Sequence, residues 1–212
     1  MKARLFLTVL LLAVLSPIWG QTVKVGDILC VQGADTLIVH PENYTGGGFG
    51  VVFYVDETGE HGWALHPQIQ AHEIYWSNLC ELPWGLTGWH SIREAIYDLD
   101  GYENTGFLRA ASQNNHDFYP GAWVVDYEHG WYWPAIGQLN ILYGNANIVN
   151  NSLKQIGGTY LSGEWVYWSS SVYGYDNDCA IYQASTGAMG AVSKYRTVMP
   201  QAPLDVRSVR NF

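Results

Sequence analysis

Apolar side chains recur in short, strand-like runs over the first third of the chain. These runs are rich in the β-branched and aromatic residues that fit a pleated sheet. They occupy residues 25–31, 36–40, 50–55 and 62–66. The sequence Asp56-Glu-Thr-Gly-Glu60, between the last two runs, consists of turn-forming residues. The pattern therefore predicts a β-hairpin over residues 50–66.

A helical period replaces this pattern in the middle of the chain. Ser91 and Glu94 have the spacing of a capping box ahead of a short apolar turn. Pro134 opens the clearest apolar stripe, and Gly157-Gly158 suits the left-handed position that follows a helix. A short helical turn is predicted over residues 91–100. Two or three helices are predicted, from 104 or 105 to 111, over 134–143, and as a further turn or two over 148–156.

Strand-like runs return in the last third, at residues 165–170, 179–184, 188–193 and 204–212. Strands, then helices, then strands are typical of an α+β domain whose helices pack to one side of a mainly antiparallel sheet. Neither a repeat nor a polar linker interrupts the pattern. A single domain is therefore predicted, with a core that includes Trp63, Trp76, Trp133 and Trp168.

The amino-terminal segment has the pattern of a secretory signal peptide. Lys2 and Arg4 precede an apolar run of about a dozen residues, and Ser16 and Pro17 follow it. This run is shorter than the roughly 20 residues needed to span a bilayer. We expect cleavage after Gly20 and export to the periplasm, the cell surface or the medium, so the domain comprises residues 21–212.

The mature chain is strongly acidic. The formal charge of the whole sequence is −9, and the loss of Lys2 and Arg4 with the signal peptide changes it to −11. Such a surface repels nucleic acid and anionic lipid. After cleavage no apolar stretch is long enough to cross a membrane. The charge and the aromatic content together favour a folded, exported protein whose partner is a glycan or another protein.

Several segments, in this order, resemble an exported bacterial family that includes the C-terminal domain of the Legionella collagen-like adhesin. They are Gly50-Val-Val-Phe-Tyr-Val55 with His61-Gly-Trp-Ala64, Asp98-Leu-Asp-Gly-Tyr-Glu-Asn-Thr105, Trp133-Pro-Ala-Ile-Gly-Gln-Leu-Asn-Ile-Leu-Tyr143, and Tyr167-Trp-Ser-Ser-Ser171 with Val206-Arg-Ser-Val-Arg-Asn-Phe212. The resemblance covers most of the mature chain, but residues 21–48 match it loosely. The pair Trp133-Pro134 stands where the family has Leu-Pro.

The resemblance implies a C-type-lectin-like fold, in which amino-terminal and carboxy-terminal strands pair and bring the chain ends together. Calcium-dependent lectins of this fold carry Glu-Pro-Asn or Gln-Pro-Asp and Trp-Asn-Asp, which supply oxygen ligands. Neither motif occurs here. The nearest candidate for calcium is Tyr175-Asp-Asn-Asp178, and solvated turn residues are the favoured interpretation of Asp176 and Asp178. No cofactor is therefore expected.

Catalytic signatures are missing from the sequence. There is no nucleophile elbow, helical zinc motif or phosphate-binding loop, and the histidines lack ligand spacing. Formylglycine-generating enzymes share the lectin-like scaffold but use two cysteines, whereas only Cys179 lies in the carboxy-terminal half. Cys30, Cys80 and Cys179 allow at most one disulfide bond, and the spacing does not select the pair. A non-enzymatic protein is predicted.

The predicted function is an adhesin-like binding module for a glycan or a protein. Aromatic rings in loops can stack on sugars while neighbouring polar groups bind hydroxyls. The predicted ligand face, on loops between late strands, comprises Tyr160, Trp165, Tyr173, Tyr175, Asp176, Asn177, Asp178, Lys194, Tyr195 and Arg196. The alternative is a structural or accessory subunit of a bacterial surface assembly, and an enzyme comes third. The sequence leaves the oligomeric state open.

Overall fold

The computed structural model describes residues 22–78, 83, 85–161, 164–173, 179–193 and 204–212, and the side chains of 179, 180, 192 and 193 lie outside that description. The strands are β1 (Ile28–Gln32), β2 (Asp35–Val39), β3 (Gly48–Val55), β4 (Gly62–Leu65), β5 (Ala71–Ile74), β6 (Gly88–Trp89), β7 (Val166–Tyr173), β8 (Cys179–Ala184), β9 (Met189–Ser193), β10 (Leu204–Val206) and β11 (Val209–Asn211). The α-helices are α1 (Ile92–Ala95), α2 (Gly101–Ala111), α3 (Gly121–Val124), α4 (Ile136–Gly144) and α5 (Ala146–Gln155). Short 3₁₀ turns occupy Pro41–Asn43, His116–Phe118 and Tyr127–His129.

The first sheet joins the beginning and the end of the domain. Its strand order is β11-β4-β3-β1-β2, and all neighbouring strands are antiparallel. The last strand, β11, pairs with β4 through Val209 and Leu65. Early and late strands therefore share one sheet, but the expected direct pairing of the first and last strands is not observed. β1 is not the direct neighbour of β11, because β4 and β3 lie between them.

The second sheet has the order β5-β10-β7-β8-β9, and β6 also pairs with β7. The pairs β10–β7 and β6–β7 are parallel, and the other pairs are antiparallel. The predicted α+β class with mainly antiparallel sheets is thus confirmed. The predicted continuous strand over residues 204–212 is wrong, because the chain leaves the second sheet after Val206 and enters the first at Val209.

Two large hydrophobic clusters form most of the described core. The first packs Phe53, Leu65 and Val209 against α4 and α5 through Leu139 and Leu153. The second is rich in tryptophan and contains the fully buried Trp76, Trp133 and Trp168. These three confirm the predicted core, whereas Trp63 is only partly buried. Gly121 makes room for the indole of Trp133, since a Cβ there would lie 2.6 Å from the ring.

The helices begin and end differently from the prediction at several points. Ser91 is the N-cap of α1, since its hydroxyl accepts the Glu94 N–H at 3.2 Å, but α1 ends at Ala95. The helix α2 begins earlier than predicted, at Gly101, and α4 begins at Ile136, after Pro134. Gly157 follows α5 with φ +68°, as its sequence position predicts. The elements α3, β5 and β6 are not predicted from the sequence, and the described residues form five α-helices where two or three are predicted. None of the described helices is both long and apolar enough to cross a membrane.

The structure shows the bonding state of one of the three cysteines. Cys30 is buried in β1 and forms no disulfide bond, and burial raises the pKa of its thiol. Any bridge in this chain would therefore join Cys80 and Cys179, whose side chains lie outside the described residues.

The imidazole of His66 makes stability depend on pH. Its Nδ1 lies 2.7 Å from the Gln70 amide nitrogen and 3.1 Å from the Gln68 backbone nitrogen, and the ring packs edge-on against Trp131. Burial lowers the pKa of His66 from 6.5, although Gln68 offsets part of the change, and Arg207 lowers the pKa further. The folded state therefore binds this proton less readily than the unfolded chain.

We expect the contribution of His66 to stability to be complete above pH 6.5 and to fall as the pH drops below it. Melting temperatures of the native protein and of a His66→Gln variant, measured from pH 7.5 to 5.0, isolate this contribution from that of other groups. The variant should lose less stability on acidification than the native protein. Parallel curves for the two proteins would contradict the assignment.

Candidate functional site

The predicted ligand face is divided by strand β7. Trp165 lies just before β7 and Tyr173 at its last residue, so about 25 Å separates their backbones. Tyr173 pairs with Cys179, and Cys179 pairs with Ser193, so these three residues lie side by side at one end of the sheet. Trp165 and Tyr173 therefore lie at opposite ends of β7.

Seven of the predicted residues lie outside the described part of the chain. They are Tyr175, Asp176, Asn177, Asp178, Lys194, Tyr195 and Arg196. The calcium hypothesis for Asp176 and Asp178 lies there too. Among the described residues, no group of three or more His, Cys, Asp or Glu side chains is arranged to hold a metal ion.

Trp165 and Tyr160 line two depressions beside α5. Trp165 is only 6% exposed, and it stacks on Tyr167 with 4.7 Å between ring centroids. It forms part of the floor of a depression of about 460 Å³ between α4, α5 and the β8–β9 turn. Tyr160 is exposed and lies beside Asn151 and Lys154 on the outer face of α5. Trp165 thus presents little ring surface to a ligand.

A second surface has more open aromatic area. Two adjoining depressions of about 320 and 350 Å³ share Trp63 and Asn211, and together we name them the aromatic groove. The groove lies at the β11 edge of the first sheet, next to the start of α2. Its lining residues are Tyr54, Asp56, His61, Gly62, Trp63, Leu99, Asp100, Tyr102, Glu103, Tyr132, Asn211 and Phe212.

Trp63 is held in place from behind. It is paired across the hairpin with Tyr54, and the two rings stack at 4.3 Å with 28° between their planes. The register of β3 and β4 shifts between Val52 and Tyr54, and this bulge lets Phe53 and Tyr54 pack against the same cluster. The ring of Phe53 lies 6.1 Å from that of Trp63. The indole is therefore fixed before any ligand arrives.

Tyr102 forms the opposite wall and is supported in the same way. Its ring stacks on Tyr127 at 4.8 Å and meets the edge of Tyr132 at 5.6 Å. Tyr102 is 46% exposed because α2 carries it on the solvent face of its first turn. Two supported rings, one from the hairpin and one from α2, thus face the same groove.

A chain of hydrogen bonds orients the amide of Asn211. The Ala135 N–H donates to Gln138 Oε1, and Gln138 Nε2 donates to the Tyr132 hydroxyl. Burial raises the pKa of Tyr132, so its hydroxyl keeps its proton and donates it to Asn211 Oδ1 at 2.6 Å. This bond fixes the orientation of the Asn211 amide, whose N–H groups donate to no acceptor among the described residues.

Three carboxylates complete the lining. Asp56 Oδ1 accepts hydrogen bonds from Thr58 and Gly59 in the hairpin turn, and these bonds lower the pKa of Asp56. Asp100 and Glu103 are exposed at the start of α2. The site therefore combines flat aromatic surfaces, an oriented amide donor and ionised acceptors, a set of groups suited to reversible binding.

Sequence reasoning missed this groove for two reasons. Trp63 was assigned to the core, because alternation in a strand does not reveal a bulge in its partner. Asn211 and Tyr102 lie 109 residues apart in the sequence and meet only through Tyr132. One feature of the sequence could have indicated the groove. Trp63, Tyr102 and Asn211 each lie in one of the segments on which the resemblance is based, namely the hairpin, the α2 segment and the closing strand.

No family model matches the chain, and no curated protein matches its sequence. The fold and the site together define an α+β protein with an open, acidic aromatic groove at the edge of its first sheet.

Proposed function

We propose that the protein is an exported, non-catalytic, adhesin-like binding module of the C-type-lectin-like kind, and that its ligand is a glycan bound in the aromatic groove. The observation that carries this proposal is the pair of partly exposed, separately supported rings, Trp63 and Tyr102, beside the oriented amide of Asn211. The meeting of early and late strands in one sheet supports the lectin-like part of the proposal.

Sugar recognition follows from the chemistry of these groups. The apolar C–H face of a pyranose ring stacks on Trp63 or Tyr102, as aromatic side chains do with other flat apolar surfaces. Sugar hydroxyls donate to Asp56 and Asp100 and accept from Asn211. Because the rings are already fixed, binding costs little side-chain entropy. A shallow groove with fixed rings, an oriented amide and a few carboxylates suits such a ligand.

Binding to a glycan array by the mature protein tests this proposal. We expect Trp63→Ala and Tyr102→Ala each to weaken binding about tenfold, which corresponds to roughly 1.4 kcal/mol. Tyr97→Ala is the matched control, because Tyr97 is 75% exposed and lies outside the groove lining. Binding that resists both groove changes would contradict the proposal.

The ligand face that the sequence predicts, on loops between late strands, is a second candidate location for the same ligand. Tyr160→Ala and Tyr175→Ala, measured on the same array, test it. Loss of binding in these variants alone would assign the glycan to the loops that the sequence predicts, and the groove would then be excluded.

A structural or accessory role in a surface assembly is the competing function. It is favoured by the β1–β2 hairpin at the sheet edge, where Val31 is 59% and Leu37 is 39% exposed. An edge strand with exposed apolar side chains is a common protein interface. Light scattering separates the two functions, since a subunit that self-associates shows a mass that rises with concentration and a glycan-binding monomer does not.

A further inference from the structure

The lining of the aromatic groove has a one-sided charge. Among the described residues, Asp56, Asp100 and Glu103 contribute carboxylates to the lining, while neither lysine nor arginine contributes a side chain. His61 is the only basic residue among the described lining side chains. A sulfated or carboxylated sugar would meet repulsion here, and a cationic group would meet attraction.

None of these three carboxylates forms an ion pair with another described residue. The described salt bridges involve other acids, among them Asp27, Asp126, Asp205 and Glu128. In Asp56, the hydrogen bonds from the turn converge on Oδ1, which leaves Oδ2 available. The groove therefore holds negative charge that the described part of the protein does not neutralise.

The aromatic rings of the groove differ from several aromatic rings elsewhere in the protein, whose faces are covered by arginine side chains. Arg109 lies 4.1 Å above the Trp123 ring, and Arg210 lies 5.4 Å from that of Trp131. The protein's own guanidinium groups thus occupy those ring faces. Within the described residues, no such cation lies over Trp63 or Tyr102. A ring face beside carboxylates is the usual receptor for a ligand ammonium group.

We propose that the groove selects sugars that carry a free, protonated amino group over their neutral or N-acetylated counterparts. This inference rests on the proposed glycan-binding function and specifies the ligand of that same site. The ammonium group lies against a ring face of Trp63 or Tyr102 and donates hydrogen bonds to the nearby carboxylates. The rest of the sugar stacks and binds Asn211 as a neutral sugar does.

Isothermal titration of the mature protein with three matched oligosaccharides tests the selection. The probes are an oligomer of unacetylated glucosamine, its fully N-acetylated counterpart and a neutral glucan of equal length. We expect the amine-bearing oligomer to bind about tenfold more tightly than the other two. This preference should shrink as salt is raised from 50 to 500 mM, because added ions screen partly exposed charges.

Variants of the carboxylates separate a specific contact from bulk charge. Asp56→Asn keeps Oδ1 for the turn, and we expect it to reduce the preference for the amine about threefold. Glu57→Gln removes the same charge one residue away and outside the groove lining, and it should leave the preference unchanged. An equal loss in both variants would overturn the inference, because bulk charge would then explain the preference.

The two proposals fail in different ways in this experiment. If the amine-bearing and acetylated oligomers bind with equal affinity, and Trp63→Ala abolishes the binding of both, the inference is overturned and the proposed function is supported. Binding of the amine-bearing oligomer alone, unaffected by Trp63→Ala, would overturn both.

Discussion

Replacing Asp98 with alanine is expected to lower the free energy of unfolding by about 3–5 kcal/mol. Asp98 is buried, and its carboxyl accepts the Ser171 hydroxyl at 2.6 Å, the Asn104 amide at 3.0 Å and the Asp100 N–H at 3.1 Å. Alanine removes the acceptor of the buried Ser171 hydroxyl and the main acceptor of the buried Asn104 amide, and a buried unsatisfied donor carries its full desolvation cost.

Urea denaturation of the native protein and of Asp98→Ala measures this effect. Glu94→Gln, an exposed acid on the neighbouring α1, is the control and should change stability by less than about 0.5 kcal/mol. A double-mutant cycle with Ser171→Ala should show coupling, since the two side chains share a hydrogen bond. A loss below about 1 kcal/mol in Asp98→Ala would show that the contacts of Asp98 do not stabilise the fold.

The Asp98 network joins three segments that lie far apart in the sequence. Asp98, Trp133-Pro134 and Ser171 belong to three different family-like segments. The Ser171 hydroxyl donates to Asp98 and accepts the Ile136 N–H at 2.9 Å, while the Asp98 carbonyl accepts the Gly137 N–H. These motifs therefore join α2, α4 and β7 in the interior.

The elements that the sequence predicts best are those whose neighbours in sequence are also their neighbours in space. The β3–β4 hairpin and the adjacent β8 and β9 match their predicted ranges within about two residues, because alternation and turn residues define them locally. The break between β10 and β11 is invisible in the sequence. Residues 204–212 alternate like one strand, and only the separation of the two sheets forces the chain to cross at Arg207 and Ser208.

The prediction of the candidate site has the same limit, because contacts between segments distant in the sequence are not visible in it. Aromatic residues are easy to find in the sequence, but their exposure depends on long-range packing. Trp165 was expected in a ligand loop, yet it is buried because Tyr167, two residues later on the same strand face, stacks on it. Trp63 was expected in the core, yet the β3 bulge brings Tyr54 behind it and leaves its other side open to the groove. The composition of the sequence indicates that aromatic residues are plentiful, but the packing of the fold determines which rings are exposed to a ligand.

The crossing between the sheets depends on a buried cation. The Arg207 side chain has no exposed surface. Its Nε donates to the His66 carbonyl at 2.9 Å, and its Nη2 donates to the Pro67 carbonyl at 2.8 Å. Among the described residues it has no carboxylate partner, and burial lowers the pKa of its guanidinium. The planar group satisfies two carbonyls at once, which a lysine ammonium cannot do with the same geometry.

We therefore expect the conservative substitution Arg207→Lys to destabilise the protein more than Arg207→Met does. Arg207→Lys keeps a buried positive charge and loses the paired contacts, so it should lower the free energy of unfolding by about 3–5 kcal/mol at pH 7. Arg207→Met removes the charge and fills part of the space, and it should cost about 1–3 kcal/mol for the carbonyls of His66 and Pro67.

The pH dependence of Arg207→Lys identifies the cause of its instability. Burial depresses the pKa of a lysine, so the unfolded chain binds the proton more tightly than the folded protein. Stability should therefore rise as the pH increases from 7 to 10, while Arg207→Met follows the native profile. Urea denaturation at several pH values measures both. A lysine variant as stable as the methionine variant, or one with the native pH profile, would show that desolvation of the cation does not govern this crossing.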